Sequence, residues 1–102
     1  MSEKVYTIEE IKKILKTLLQ NTSVNSVILF GSYAKKSADK NSDLDFVIDT
    51  RETLIGFKLY SLITQIEEAF QKQVDAIEKT EIIENSKIDK EIKKTGVLVY
   101  ER

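Results

Sequence analysis

The stretch LFGSYAKKSADKNSDLDFVID, residues 29–49, decides how this chain folds and what chemistry it can carry. It begins at the end of an apolar, β-rich run, residues 24–30, that reads as a buried strand. Gly31 ends that strand, and residues 32–36 read as a short helix whose N-terminus faces the site. A polar loop, 37–42, follows. Residues 44–48 form a second strand, with Leu44, Phe46 and Ile48 on one face and Asp43, Asp45 and Val47 on the other.

The flanking sequence supplies the rest of the architecture. Thr7 and Glu10 make a capping box, and Ile8, Ile11, Ile14, Leu15, Leu18 and Leu19 recur at helical spacing behind it. Leu59, Leu62, Ile63, Ile66 and Phe70 mark a second long helix. Residues 73–77 are a short third strand carrying Asp75. Residues 82–94 are helical with a break near Asn85-Ser86, Gly96 caps that helix, and 97–100 is a last short strand. The order α-β-(α)-β-α-β-α-β predicts an α+β, α/β-like fold: a small mixed β-sheet packed with helices. No repeat, proline or low-complexity linker interrupts it, so residues 1–102 read as a single domain.

Composition narrows the chemistry. At 41% hydrophobic and 32% charged residues, the balance is that of an ordinary globular domain. A net charge of −1 advertises no nucleic acid or anionic lipid, so no direct nucleic-acid binding is expected. Arg51 and Arg102 are the only arginines, which weakens bidentate phosphate or guanine recognition. With no cysteine and no histidine, disulfides, zinc ribbons and histidine bases are excluded. Any metal must be held by oxygen, which favours Mg²⁺, Mn²⁺ or Ca²⁺. No window has the apolar length of a membrane span, and the N-terminus MSEKVYT has no signal-peptide core. A cytoplasmic location is the default expectation, with no membrane partner.

Within residues 29–49 the residue types converge on one kind of chemistry. A glycine-serine pair after a strand can receive a phosphate on backbone N–H groups and a hydroxyl. Asp43 and Asp45, at i and i+2, project from one face and repel each other unless they share a proton or a cation. A phosphate cradle beside two carboxylates suits metal-assisted transfer of a nucleotidyl or phosphoryl group. Each piece also has a plain structural reading. Gly31 can be only a turn, Ser32 only a helix cap, and an isolated Asp-x-Asp only loop and edge polarity. It is their fixed spacing, each beside a strand, that favours the catalytic reading. Asp49 reads as a helix N-terminal or turn residue ahead of a supporting role behind the site, Tyr33 as either a packing residue or a base-stacking one, Lys36 and Lys40 as a solvated face ahead of phosphate contacts, and Asp39 and Asp89 as surface positions.

The segment GSYAKKSADKNSDLDFVI resembles the signature of the polymerase-beta-like nucleotidyltransferases, GSxAxG followed by SDxD. Without a second domain, the chain is similar to the minimal branch of that superfamily. The resemblance covers nearly the whole chain in length and element order. It implies that Asp75, in KQVDAIE, is the third acidic residue. It further implies an Mg²⁺ site, with Mn²⁺ as alternative, at Asp43, Asp45 and Asp75, and ATP as substrate with its phosphates on Gly31, Ser32 and Lys35. Asp75 would also accept or steer the proton of the attacking hydroxyl. One departure stands out: an Arg-Gly pair commonly follows the motif alanine, where this chain has Lys35-Lys36.

In the minimal branch the resemblance implies an antitoxin. Its partner would be an all-helical HEPN-type toxin encoded alongside, and the activity transfer of AMP from ATP to a tyrosine of that toxin. Two alternatives remain. The protein neutralises its partner by binding alone, with a weak or inactive site. Less favoured is a small-molecule nucleotidyltransferase, which would need an acceptor wall that this chain does not visibly provide.

Overall fold

The first helix owes its start to the capping box. In the computed structural model, which describes residues 4–102, α1 spans Ile8–Leu19. The expectation about the N-terminus MSEKVYT falls partly outside the described residues. The Thr7 hydroxyl accepts from the Glu10 N–H at 3.1 Å, and the Glu10 carboxylate accepts from the Thr7 N–H at 3.0 Å. Such caps contribute about 1 kcal/mol. Ile11, Leu15 and Leu19 then fall on one buried face.

The strand β1 is Ser26–Phe30, two residues shorter at its start than its apolar pattern suggests. Val24 is buried but outside the strand, because its N–H goes to the Thr22 hydroxyl. A one-turn helix α2, Gly31–Ala34, follows β1 directly. Then come β2, Leu44–Asp49, and α3, Phe57–Phe70. The strand β3 is Val74–Glu78, and a 3-10 turn at Lys79–Glu81 leads to α4, Lys87–Thr95. The last strand, β4, is Val97–Glu101. The helix expected over 82–94 begins only at Lys87, because Asn85 turns left-handed at φ +65° and the Ser86 hydroxyl accepts from the Asp89 N–H to start α4.

The four strands lie in the order β3-β2-β1-β4. β1 is antiparallel to both β2 and β4, while β2 and β3 run parallel, joined through α3. The sheet is therefore mixed, as expected. Its core face joins Val27, Leu29, Phe46 and Ile48 to Ile11, Leu15, Ile66 and Phe70. Two tyrosines fasten this layer. Tyr6 donates to the Phe70 carbonyl and meets its ring edge-on, and Tyr100 donates to the Leu19 carbonyl.

The second face of the sheet is covered in part by α4, which packs on β1 and α2. Val47, on the same face as Asp45, is accordingly only 2% exposed. Gly96 does close α4, but at φ −62° rather than in a left-handed turn. Its reason for being glycine is space. A Cβ there would run into the Ile92 carbonyl and crowd the Ile28 side chain of β1. Among the described residues no helix is long and apolar enough to cross a membrane.

Candidate active site

The site forms where β1 ends and β2 begins, because these two strands are antiparallel neighbours. Phe30 is the register partner of Asp45, which brings the next residue, Gly31, against the Asp45 side chain. Gly31 has φ +73°, a left-handed conformation that L side chains adopt at a cost. A Cβ at Gly31 would also overlap the Asp45 carboxylate. The glycine is thus required twice, once by the turn and once by the carboxylate beside it. Ser32 lies in the first turn of α2, and the Lys35 N–H returns to the Gly31 carbonyl at 3.1 Å.

The third acid arrives from the other side. The parallel pairing of β2 with β3 sets Asp45 directly beside Asp75. Asp43 sits two residues ahead of Asp45, at the end of the polar loop. The consequence is electrostatic: burial first, then the charges of Asp75, Asp43 and Glu91, push the Asp45 carboxyl up from 3.8 to about 6. Carboxylates that repel one another this way form the donor set that a hard divalent cation neutralises. Among the described residues no group of three such side chains is drawn tightly enough together to form a ready-made metal cage. Asp43, Asp45 and Asp75 share an open shelf instead, and Asp75 is exposed.

Lys35, expected to meet phosphate, stands at this shelf, with its ammonium 2.7 Å from the Glu91 carboxylate of α4. Lys36 occupies the left-handed region at φ +60°, so the backbone keeps a conformation suited to glycine although the side chain is lysine. Tyr33 is buried in the core at 4% exposure, which decides between its two readings in favour of packing. Asp49 is a turn residue: its carboxylate accepts from the Arg51 N–H and the Asn25 amide. Asp39 is exposed and closes the polar loop by accepting from the Asn41 N–H. Asp89 is more than a surface residue, since it accepts from the Asn85 N–H and pairs with Lys93.

Two contributors escaped the sequence reading. Glu91 was lost in a charged helix. Lys72 is 3% exposed and donates to the Lys40 carbonyl at 3.0 Å, tethering the loop that delivers Asp43. A lone lysine between two elements gives no sequence signal of burial.

The chain is similar to known proteins in sequence and in fold. Residues 9–102 match the family described as polymerase beta, nucleotidyltransferase. A candidate protein adenylyltransferase of Methanocaldococcus jannaschii, MJ1215, is 35% identical over 86 residues, covering 80% of this chain and 100% of that protein. The protein adenylyltransferase MntA of Thermococcus cleftensis is 31% identical over 80 residues, covering 74% of this chain and 81% of that protein. In solved structures the fold recurs in a toxin-antitoxin complex with AMP-PNP. There the TM-score is 0.72 at 20% identity, covering 89% of this chain and 73% of that one. It recurs also in the complex of tri-AMPylated Shewanella oneidensis HEPN toxin with MNT antitoxin, with a TM-score of 0.67 at 17% identity over 94% of this chain and 74% of that one. The chain belongs to the polymerase-beta nucleotidyltransferase family.

Proposed function

We propose that this nucleotidyltransferase is an antitoxin that moves AMP from ATP to a tyrosine hydroxyl of a helical HEPN-type toxin. The observation that carries the reading is the lateral pairing of Asp45 with Asp75 beside Gly31, with Asp45 held at an unusually high proton affinity. The names of the relatives and the toxin complexes among the structural neighbours support the choice of acceptor.

Asp43 and Asp45, with Asp75, are the residues that would hold Mg²⁺, or Mn²⁺ in its place. That ion, when bound, neutralises triphosphate charge during the transfer. Gly31 and Ser32 receive the outer phosphates on backbone N–H groups and the hydroxyl, and Lys35 adds a positive charge beside them. The phenol oxygen of the acceptor forms a bond to the α-phosphorus as the bond to pyrophosphate breaks. Asp75, exposed on the edge strand, takes or steers the phenol proton. A docked protein would present the phenol opposite the leaving pyrophosphate and close the open side of the shelf.

Lys35 engaged by Glu91 favours, as a second reading, an antitoxin that acts by binding alone. Intact-mass spectrometry of the purified partner, incubated with this protein, ATP and Mg²⁺, separates the two. Addition of AMP is expected, with Asp75→Asn depressing transfer strongly while ATP binding stays near normal. A stable complex, bound ATP and an unmodified partner would establish the binding-only antitoxin. An adduct undiminished by Asp75→Asn would remove Asp75 from the mechanism.

A further inference from the structure

The ion pair between Lys35 and Glu91 ties α2 to α4 beside the acidic shelf. Lys35 caps the C-terminal end of α2, one turn beyond Gly31, with its N–H returned to the Gly31 carbonyl. Its ammonium is 2.7 Å from the Glu91 carboxylate, and the two side chains are 48% and 31% exposed. Where α4 ends, Gly96 has no Cβ to crowd Ile28 of β1. The charges of Asp75, Asp43 and Glu91 all act on Asp45, and Lys35 is already paired with one of these four carboxylates.

This arrangement works against an incoming polyphosphate in two ways. Glu91 adds to the repulsion, and it holds the cation that would answer the phosphates. A partly exposed ion pair is weak enough to be exchanged. Lysine suits such an exchange, because its compact charge rides on a flexible stem, whereas an arginine fork would be held in a fixed bidentate geometry.

We propose that Glu91 is a positioning residue that withholds Lys35 from the phosphate site until a divalent cation accompanies the nucleotide. The inference rests on the reading that Gly31 and Ser32 receive the triphosphate. Metal-free nucleotide then meets four carboxylates and a sequestered lysine. Nucleotide arriving with its cation meets a shelf whose charge is offset, and Lys35 transfers from Glu91 to phosphate. Glu91 in this way enforces metal dependence on binding itself, ahead of any chemistry.

Calorimetric titration of the full chain with AMP-PNP, in Mg²⁺ and in EDTA, tests this. The wild type is expected to bind in Mg²⁺ and far more weakly in EDTA. Glu91→Gln keeps the helix and the side-chain length, and should tighten binding in EDTA about fivefold, with a smaller gain in Mg²⁺. Lys35→Ala should weaken binding, and adding Glu91→Gln to it should restore less than the same substitution gains in the wild type, because only the relief of repulsion is left. Unchanged or weaker EDTA affinity in Glu91→Gln overturns the inference. So does an equal gain in the Lys35→Ala background, since Glu91 would then act without Lys35. A wild type that binds in Mg²⁺ while Glu91→Gln behaves identically removes the role of Glu91 alone. A wild type that binds no AMP-PNP in Mg²⁺ removes the phosphate site and the inference together. Circular dichroism melts confirm that each variant is folded.

Discussion

Asp45 and Asp49 sit on the same strand, about 13 Å apart at ~3.3 Å per residue, yet their surroundings are opposite. Asp49 is satisfied locally: a backbone N–H and an amide donate to it, and Lys79 stands 3.9 Å away. Thr50 and Glu78 close the same end of the sheet with a buried hydrogen bond of 2.8 Å. Asp45 faces Asp75, Asp43 and Glu91, and burial makes its charge costlier still. A carboxylate that folding uses finds donors within its own neighbourhood. One left among like charges carries a cost to the fold, which a bound cation would offset on the function proposed above.

That contrast is most severely tested at Gly31. Gly31→Val forces a β-branched residue into φ +73° and drives its Cβ into the Asp45 carboxylate. It should destabilise the fold by at least about 2 kcal/mol and abolish nucleotide binding. Chemical denaturation and titration with an ATP analogue read the two effects. Unchanged affinity in a folded valine variant would place the nucleotide elsewhere.

The raised Asp45 carboxyl has a signature in stability. Because the folded state keeps the proton up to about 6 and the unfolded chain loses it near 3.8, the contribution of Asp45 to stability in the absence of metal falls as pH rises from about 4 to 6, then levels off. Asp45→Asn removes that loss. The variant should match the wild type below about pH 4 and exceed it above pH 6 by on the order of 1–2 kcal/mol, allowing for solvent screening. Urea melts across this range, in EDTA, measure the difference. A variant less stable at pH 7 would contradict the repulsion.

Asp49 should respond in the reverse sense. Asp49→Ala strips two hydrogen bonds and should cost about 1–2 kcal/mol of stability, while transfer by the folded variant stays intact. Smaller still is Lys36→Gly, which relieves a left-handed lysine at φ +60°. It should raise stability by roughly 0.5 kcal/mol, since strain relief of about 1–2 kcal/mol is partly offset by the greater freedom of glycine in the unfolded chain. Thermal melts detect either change.

The acidic end of the sheet was legible because its residues are local in sequence. Gly31, Ser32, Asp43 and Asp45 fall within one strand-loop-strand unit, and the capping box and Asn85-Ser86 break are also short-range signals. Asp75 needed the family resemblance, since the parallel register that sets it beside Asp45 depends on how α3 packs. Glu91 and Lys72 were hidden for the same reason, as their partners lie 56 and 32 residues away. Gly96 was assigned its place from the pattern of helix ends, whereas its cause is close packing against Ile28.

If the unsatisfied carboxylates at the start of β2 carry the proposed chemistry, AMP transfer to the proposed helical partner must separate Asp45→Asn from Asp49→Asn when the two are measured side by side. With ATP and Mg²⁺, and with both variants shown to be folded, intact-mass time courses should show Asp49→Asn modifying the partner at close to the wild-type rate. Asp45→Asn should be slowed at least about 10²-fold, the scale of losing one preorganised charged group. Near-normal transfer by Asp45→Asn, or an equal loss in both variants, would contradict the account.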